Sequence, residues 1–145
     1  MLGRRIAIAL IVALTVGAMT ATSALGCSTA NGHRALVNYR RSGGLGGANA
    51  HLIVTQRGQA RLTTPSVTRR AVLSPTIQKR LVGALRKAHF AHLKPAYEPP
   101  APVPDALTYT ITHACRTVRA VDTAVPSRLQ TVIGILNQII TKLSR

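Results

Sequence analysis

With 19 Lys and Arg against three acidic residues, the 145-residue chain carries a formal charge of +16, and so few carboxylates exclude the paired acids of general acid–base catalysis. No Ser-His-acid or Cys-His cluster replaces them and no ligands stand at zinc-finger spacing, so the sequence predicts no enzyme, no metal site and no cofactor. One Phe, three Tyr and no Trp leave few stacking platforms for nucleic acid; the charge points instead to anionic surfaces such as membrane headgroups or cell-wall polymers.

Residues 1–5 form a basic start with Arg4 and Arg5, residues 6–18 are a nearly unbroken apolar run, and small residues lead up to Gly26. Basic, apolar and small regions in that order predict a secretory signal over residues 1–26. The apolar run is shorter than the roughly 20 residues that span a bilayer. Removing 26 of the 145 residues leaves 119, enough for one domain with its own core. Residues 27–34 read as a flexible tether and residues 35–145 as that domain.

The chain has two cysteines, Cys27 and Cys115. Cys27 follows Ala24-Leu25-Gly26, which is similar to a bacterial lipoprotein signal. Cleavage before Cys27 would place a diacylglycerol on its sulfur, and two or three acyl chains anchor a protein firmly. The protein is then a lipoprotein on the outer face of the cytoplasmic membrane. Cleavage by a general signal peptidase instead leaves the protein secreted and Cys27 able to bridge Cys115, because exported space permits disulfides.

Residues 35–40, with Val37 and Tyr39 on one face, predict a strand. It stops at Ser42, Gly43, Gly44, Leu45, Gly46 and Gly47; four glycines in six residues suit neither helix nor strand interior. This loop with a single apolar tip is the candidate partner-binding site. The competing reading is a tight turn with Leu45 folded back on the core. Residues 51–55 and 60–64 alternate around Gln56-Arg57-Gly58-Gln59 and predict a hairpin. Ser74 as N-cap and Pro75 at the first helical position open a helix, whose stripe is Ile77, Leu81, Ala84, Leu85 and Ala88. Five prolines between Lys94 and Asp105 predict an extended connector. Residues 107–112 and 116–122 alternate about His113, Ala114 and Cys115, a second hairpin. Pro126 opens the last helix, with its stripe at Leu129, Val132, Ile133, Leu136, Ile139, Ile140 and Leu143. The fold class is α+β: an antiparallel sheet of about five strands in two strand-then-helix units, βββα and ββα joined by the proline-rich connector, with both helices on one face. His89 and His92 stand near the end of the first helix and read as surface or capping residues.

Three stretches resemble the emfourin family, small protein inhibitors of thermolysin-like metalloproteases. They are Val37-Asn38-Tyr39-Arg40-Arg41-Ser42-Gly43-Gly44-Leu45-Gly46-Gly47; Ala88-His89-Phe90 with Leu93 and Tyr97; and Pro104-Asp105-Ala106-Leu107-Thr108-Tyr109-Thr110-Ile111 followed by Val121-Asp122 and Val125-Pro126. The glycine-rich loop is the distinctive one. The resemblance implies an α+β inhibitor fold and a secreted thermolysin-like metalloprotease as partner. Such enzymes favour a bulky apolar residue beside the cleaved bond, the role that falls to Leu45. The alternative is a basic envelope protein that binds anionic surfaces without inhibiting anything.

Overall fold

A computed structural model of the chain describes residues 29–30 and 33–145; the expected signal segment and Cys27 lie outside the described residues. Eight strands and two helices follow in order: β1 (Thr29–Ala30), β2 (His33–Gly43), β3 (Ala48–Thr55), β4 (Gln59–Thr63), β5 (Thr68–Val72), α1 (Pro75–Ala88), β6 (Ala96–Tyr97), β7 (Leu107–His113), β8 (Arg116–Val121) and α2 (Ser127–Ser144). Single 3₁₀ turns stand at Phe90–His92 and Asp122–Ala124.

The strands lie in the order β5-β4-β3-β2-β7-β8-β6, with β1 paired to β2 beside that path. All neighbours are antiparallel except β6 and β8, which run parallel. The fold class is therefore α+β, but the strand count and layout differ from expectation in four ways. Strand β5 is an additional edge strand. A two-residue strand, β6, forms inside the proline-rich connector and makes the sheet mixed. Residues 29–30 and 33–34 belong to strands where a tether was expected. Strand β2 runs on through Ser42 and Gly43, so the loop proper is residues 44–47.

Alternate residues build the core. Leu62, Leu52, Tyr39, Ile111 and Val118 are direct cross-strand neighbours on β4, β3, β2, β7 and β8, and all five are fully buried. They form one cluster with Leu81 and Leu85 of α1 and Leu129, Val132, Leu136 and Ile139 of α2, so both helices cover the same face. Each such side chain contributes roughly 1.5–3 kcal/mol of burial. Both helical stripes seat as their spacing predicts; only Ile77 and Leu143 remain half-buried at the margin.

Local chemistry fixes the ends. The Ile77 N–H donates to Ser74 Oγ at 3.4 Å, Pro75 occupies the first turn, and His89 closes α1 in the left-handed region at φ 49°. Gly58 turns the β3–β4 hairpin at φ 79°, and a Cβ there would lie 2.6 Å from Gln78 Oε1. Gln78 Nε2 donates to the Gln56 carbonyl at 2.8 Å, which ties the same hairpin to α1. The β2–β3 register shifts between Ala35 and Val37; the bulged Leu36 offers its carbonyl to His113 Nδ1–H at 2.7 Å.

Candidate partner-binding loop

The loop is the tip of the β2–β3 hairpin. Gly43 and Ala48 are its last register pair, and the Gly47 N–H donates to the Gly44 carbonyl at 2.9 Å, closing residues 44–47 as a turn. Three of the four glycines are required by the backbone. Gly43, Gly44 and Gly47 have φ of 94°, 76° and 59°, where any side chain is strained. Gly43 is also pressed on the start of β7: a Cβ would meet the Ala106 carbonyl oxygen at 2.6 Å. Gly46 is different. It has no positive φ and open space around it, so folding alone does not call for glycine there.

Leu45 is 91% exposed, the most exposed large apolar side chain among the described residues. The alternative in which it folds back onto the core is thereby corrected: the Gly44–Gly47 hydrogen bond and the three positive-φ glycines turn its side chain outward, away from the core. Of the six residues singled out in the sequence, Gly44, Leu45, Gly46 and Gly47 form the projecting turn. Ser42 and Gly43 stay in the sheet, paired with Asn49 and Ala48 on one side and with Thr108 and Leu107 on the other.

The turn has a firm base. The Leu107 N–H donates to Asp122 Oδ2 at 3.3 Å, holding the start of β7 against Gly43 and Gly44. On the core side, Asn137 Oδ1 of α2 accepts from Tyr39 Oη at 3.0 Å and from Arg41 Nη1 at 3.3 Å. The Tyr39 and Tyr109 rings stack with centroids 6.3 Å apart. Burial, followed by the neighbouring Tyr109, pushes the Tyr39 hydroxyl well above the ordinary tyrosine range, so it stays protonated and able to donate. Arg41 Nε is buried there with no partner among the described residues. No sequence signal marked this tyrosine–arginine–asparagine cluster, because Asn137 is nearly a hundred residues from Tyr39 and is the polar interruption of an otherwise apolar helical stripe.

The remaining sequence candidates lie elsewhere. His89 and His92 have ring centroids 6.3 Å apart, and among the described residues no three His, Cys, Asp or Glu side chains group as metal ligands. Cys115 is disulfide-bonded; the chain's other cysteine is Cys27, outside the described residues. Ala114 and Cys115 both have positive φ, 47° and 64°, in a two-residue turn joining β7 to β8. No described helix is long and apolar enough to cross a membrane. Compared with known proteins, the chain matches no protein-family model and no curated protein.

Proposed function

We propose that the chain is an exported binding module of the emfourin type, which inhibits a secreted thermolysin-like metalloprotease by presenting Leu45 on the 44–47 turn. The observation that carries this reading is the 91% exposure of Leu45 on a turn closed by the Gly47–Gly44 hydrogen bond. An exposed leucine is normally a minor liability; on a projecting, hydrogen-bonded turn, its burial in an apolar enzyme pocket contributes roughly 1.5–3 kcal/mol. Little of that is then lost to ordering the loop. Gly46, which the fold does not need, leaves the backbone beside Leu45 bare enough for close approach by a partner's cleft.

Titration of a thermolysin-like protease with the purified protein tests it. The expected result is stoichiometric inhibition that persists in moderate salt and weakens about 10- to 100-fold in L45D, as loss of one buried leucine requires. Absence of inhibition at micromolar protein overturns the reading.

Export through residues 1–26 belongs to the same proposal. The disulfide at Cys115 supports the Cys27–Cys115 bridge as the fate of Cys27, with the thioether-linked diacylglycerol as the alternative. Intact mass of the mature protein separates them, since acyl chains add hundreds of daltons and a disulfide removes two hydrogens.

A further inference from the structure

The face of the sheet opposite the helices carries a line of arginines that the sequence scatters. Arg40 on β2 lies directly across from His51 on β3. Arg61 on β4 pairs with Ile53, two residues along β3 from His51, and lies directly across from Arg70 on β5. Direct neighbours in a sheet are about 5 Å apart and diagonal ones about 7–8 Å, so Arg40, His51, Arg61 and Arg70 form an unbroken line roughly 15–17 Å long. A groove of about 430 Å³ lies along its β4–β5 end, lined by Ile53, Gln59, Arg61, Arg70 and Val72 among others. Among the described residues no helix covers this face.

Two physical facts make the line unusual. Arg61 and Arg70 are like charges placed directly opposite one another, an arrangement that destabilises a sheet. No carboxylate forms an ion pair with them: the one ion pair among the described residues joins Arg119 of β8 to Glu98 at 2.8 Å, on the same face but beyond Thr110, the cross-strand neighbour of Arg40. Apart from His51, the line is also all arginine. The chain's four lysines, Lys79, Lys87, Lys94 and Lys142, lie on the helices and the connector. Arginine's planar fork suits bidentate contact with phosphate oxygens.

From this line we infer that the open face of the sheet binds an extended, baseless phosphodiester chain, of the poly(glycerol phosphate) kind, with one phosphate on Arg40 and the next on the Arg61–Arg70 pair. The shape selects this occupant. A single line across twisted strands fits one flexible chain better than a planar bilayer or a stiff duplex. The rings of Tyr39 and Tyr109 are on the core side, so neither gives a base a tyrosine to stack on at this face. Flanking donors, Asn38 and Thr110 beside Arg40, suit a chain of phosphates and hydroxyls. The surface shares strands β2 and β3 with the 44–47 turn but uses different residues.

Fluorescence anisotropy of end-labelled poly(glycerol phosphate) with the purified protein, over a salt series, tests the inference. The expected result is binding that the triple variant R40Q/R61Q/R70Q weakens at least tenfold. The slope of log affinity against log salt should fall by about 1.4, from ~0.7 for each of the two neutralised phosphates on a single strand. The charge-matched variant K79Q/R80Q/K87Q, on the outward side of α1, and L45D should each leave that slope unchanged. Equal losses in the two triple variants overturn the inference, as does the absence of binding at low salt. Tighter binding to oligothymidylate, to phosphatidylglycerol vesicles or to poly-L-glutamate than to poly(glycerol phosphate) overturns it as well. Circular dichroism of each variant verifies the fold, and R70Q alone, at an exposed edge-strand position, provides a binding measurement free of core disturbance.

Discussion

His51 shows how much a single residue's behaviour depends on its neighbours in the sheet. Its Nε2 lies 2.8 Å from Asn38 Oδ1, and it stands between Arg40 and Arg61. Burial first, then the charges of Arg40 and Arg61, hold its imidazole below the ordinary value of 6.5. The folded protein therefore binds the proton less readily than the unfolded chain. Its stability from this site is fully present above pH 6.5 and is lost as pH falls through the depressed folded value. An NMR titration should place the His51 midpoint below 6.5, and R40Q/R61Q should move it upward. Below that pH, wild type should lose stability relative to His51→Gln. A midpoint at or above the ordinary value in the folded protein would refute the account.

Residue chemistry also explains the polar cluster under the turn. Asn137 accepts from both Tyr39 and Arg41, which satisfies a tyrosine hydroxyl that would otherwise be buried without a partner. An unpaired buried hydroxyl costs about 1–3 kcal/mol. The helix surrenders one apolar position of its stripe to meet that requirement.

Among the elements, the hairpin that carries Leu45 separates glycines that fold the turn from one that does not. Gly43 combines a positive φ with a carbonyl 2.6 Å from where a Cβ would sit. Gly43→Ala should therefore cost about 1–3 kcal/mol and displace the start of β7, read by chemical denaturation and by shifts of the Leu107 amide. Gly46→Ala should change stability by no more than about 0.5 kcal/mol. Equal effects at the two positions would remove the distinction between them.

The elements also differ in how far they can be read from sequence. Strands β2, β3, β4, β7 and β8 alternate because one face meets the helices and the other does not. Both helices declare themselves through stripes at 3.6-residue spacing, and Ser74-Pro75 marks the start of α1. Strand β5 carries no such signal. Its Thr68, Arg69, Arg70 and Val72 are all exposed, because an edge strand held only by β4 buries almost nothing, and charged residues guard its open edge. Strand β6 is hidden by prolines, which are tolerated because two residues of a sheet edge need few ladder hydrogen bonds. The glycine-rich turn is legible as a turn, but the direction of Leu45 is not, since composition does not say whether a hairpin tip reaches back to its own core.

For the molecule taken entire, electrostatics dominate what the core does not. Seventeen Lys and Arg follow residue 26 against three acids, and a single ion pair joins opposite charges among the described residues, itself more than half exposed on both sides and therefore worth little. Self-repulsion between exposed arginines opposes the compact state and is screened by salt within about 10 Å at 0.1 M. Raising NaCl from about 20 to about 300 mM should thus raise the melting temperature by a few degrees, contrary to the behaviour of a protein held by surface ion pairs. A melting temperature that falls with salt would contradict this picture.

The α+β class, the two amphipathic helices, most of the sheet and the place of the glycine-rich turn can all be read along the chain. Each of these follows from periodicity and backbone freedom, which neighbouring residues set among themselves. The outward direction of Leu45 and the closure of Asn137 over Tyr39 cannot be read that way. Nor can the joining of Arg40, Arg61 and Arg70, separated along the chain, into one line. Those outcomes depend on strand order and register, and register is fixed by which residues the helices bury together, a property that no single stretch of the chain contains.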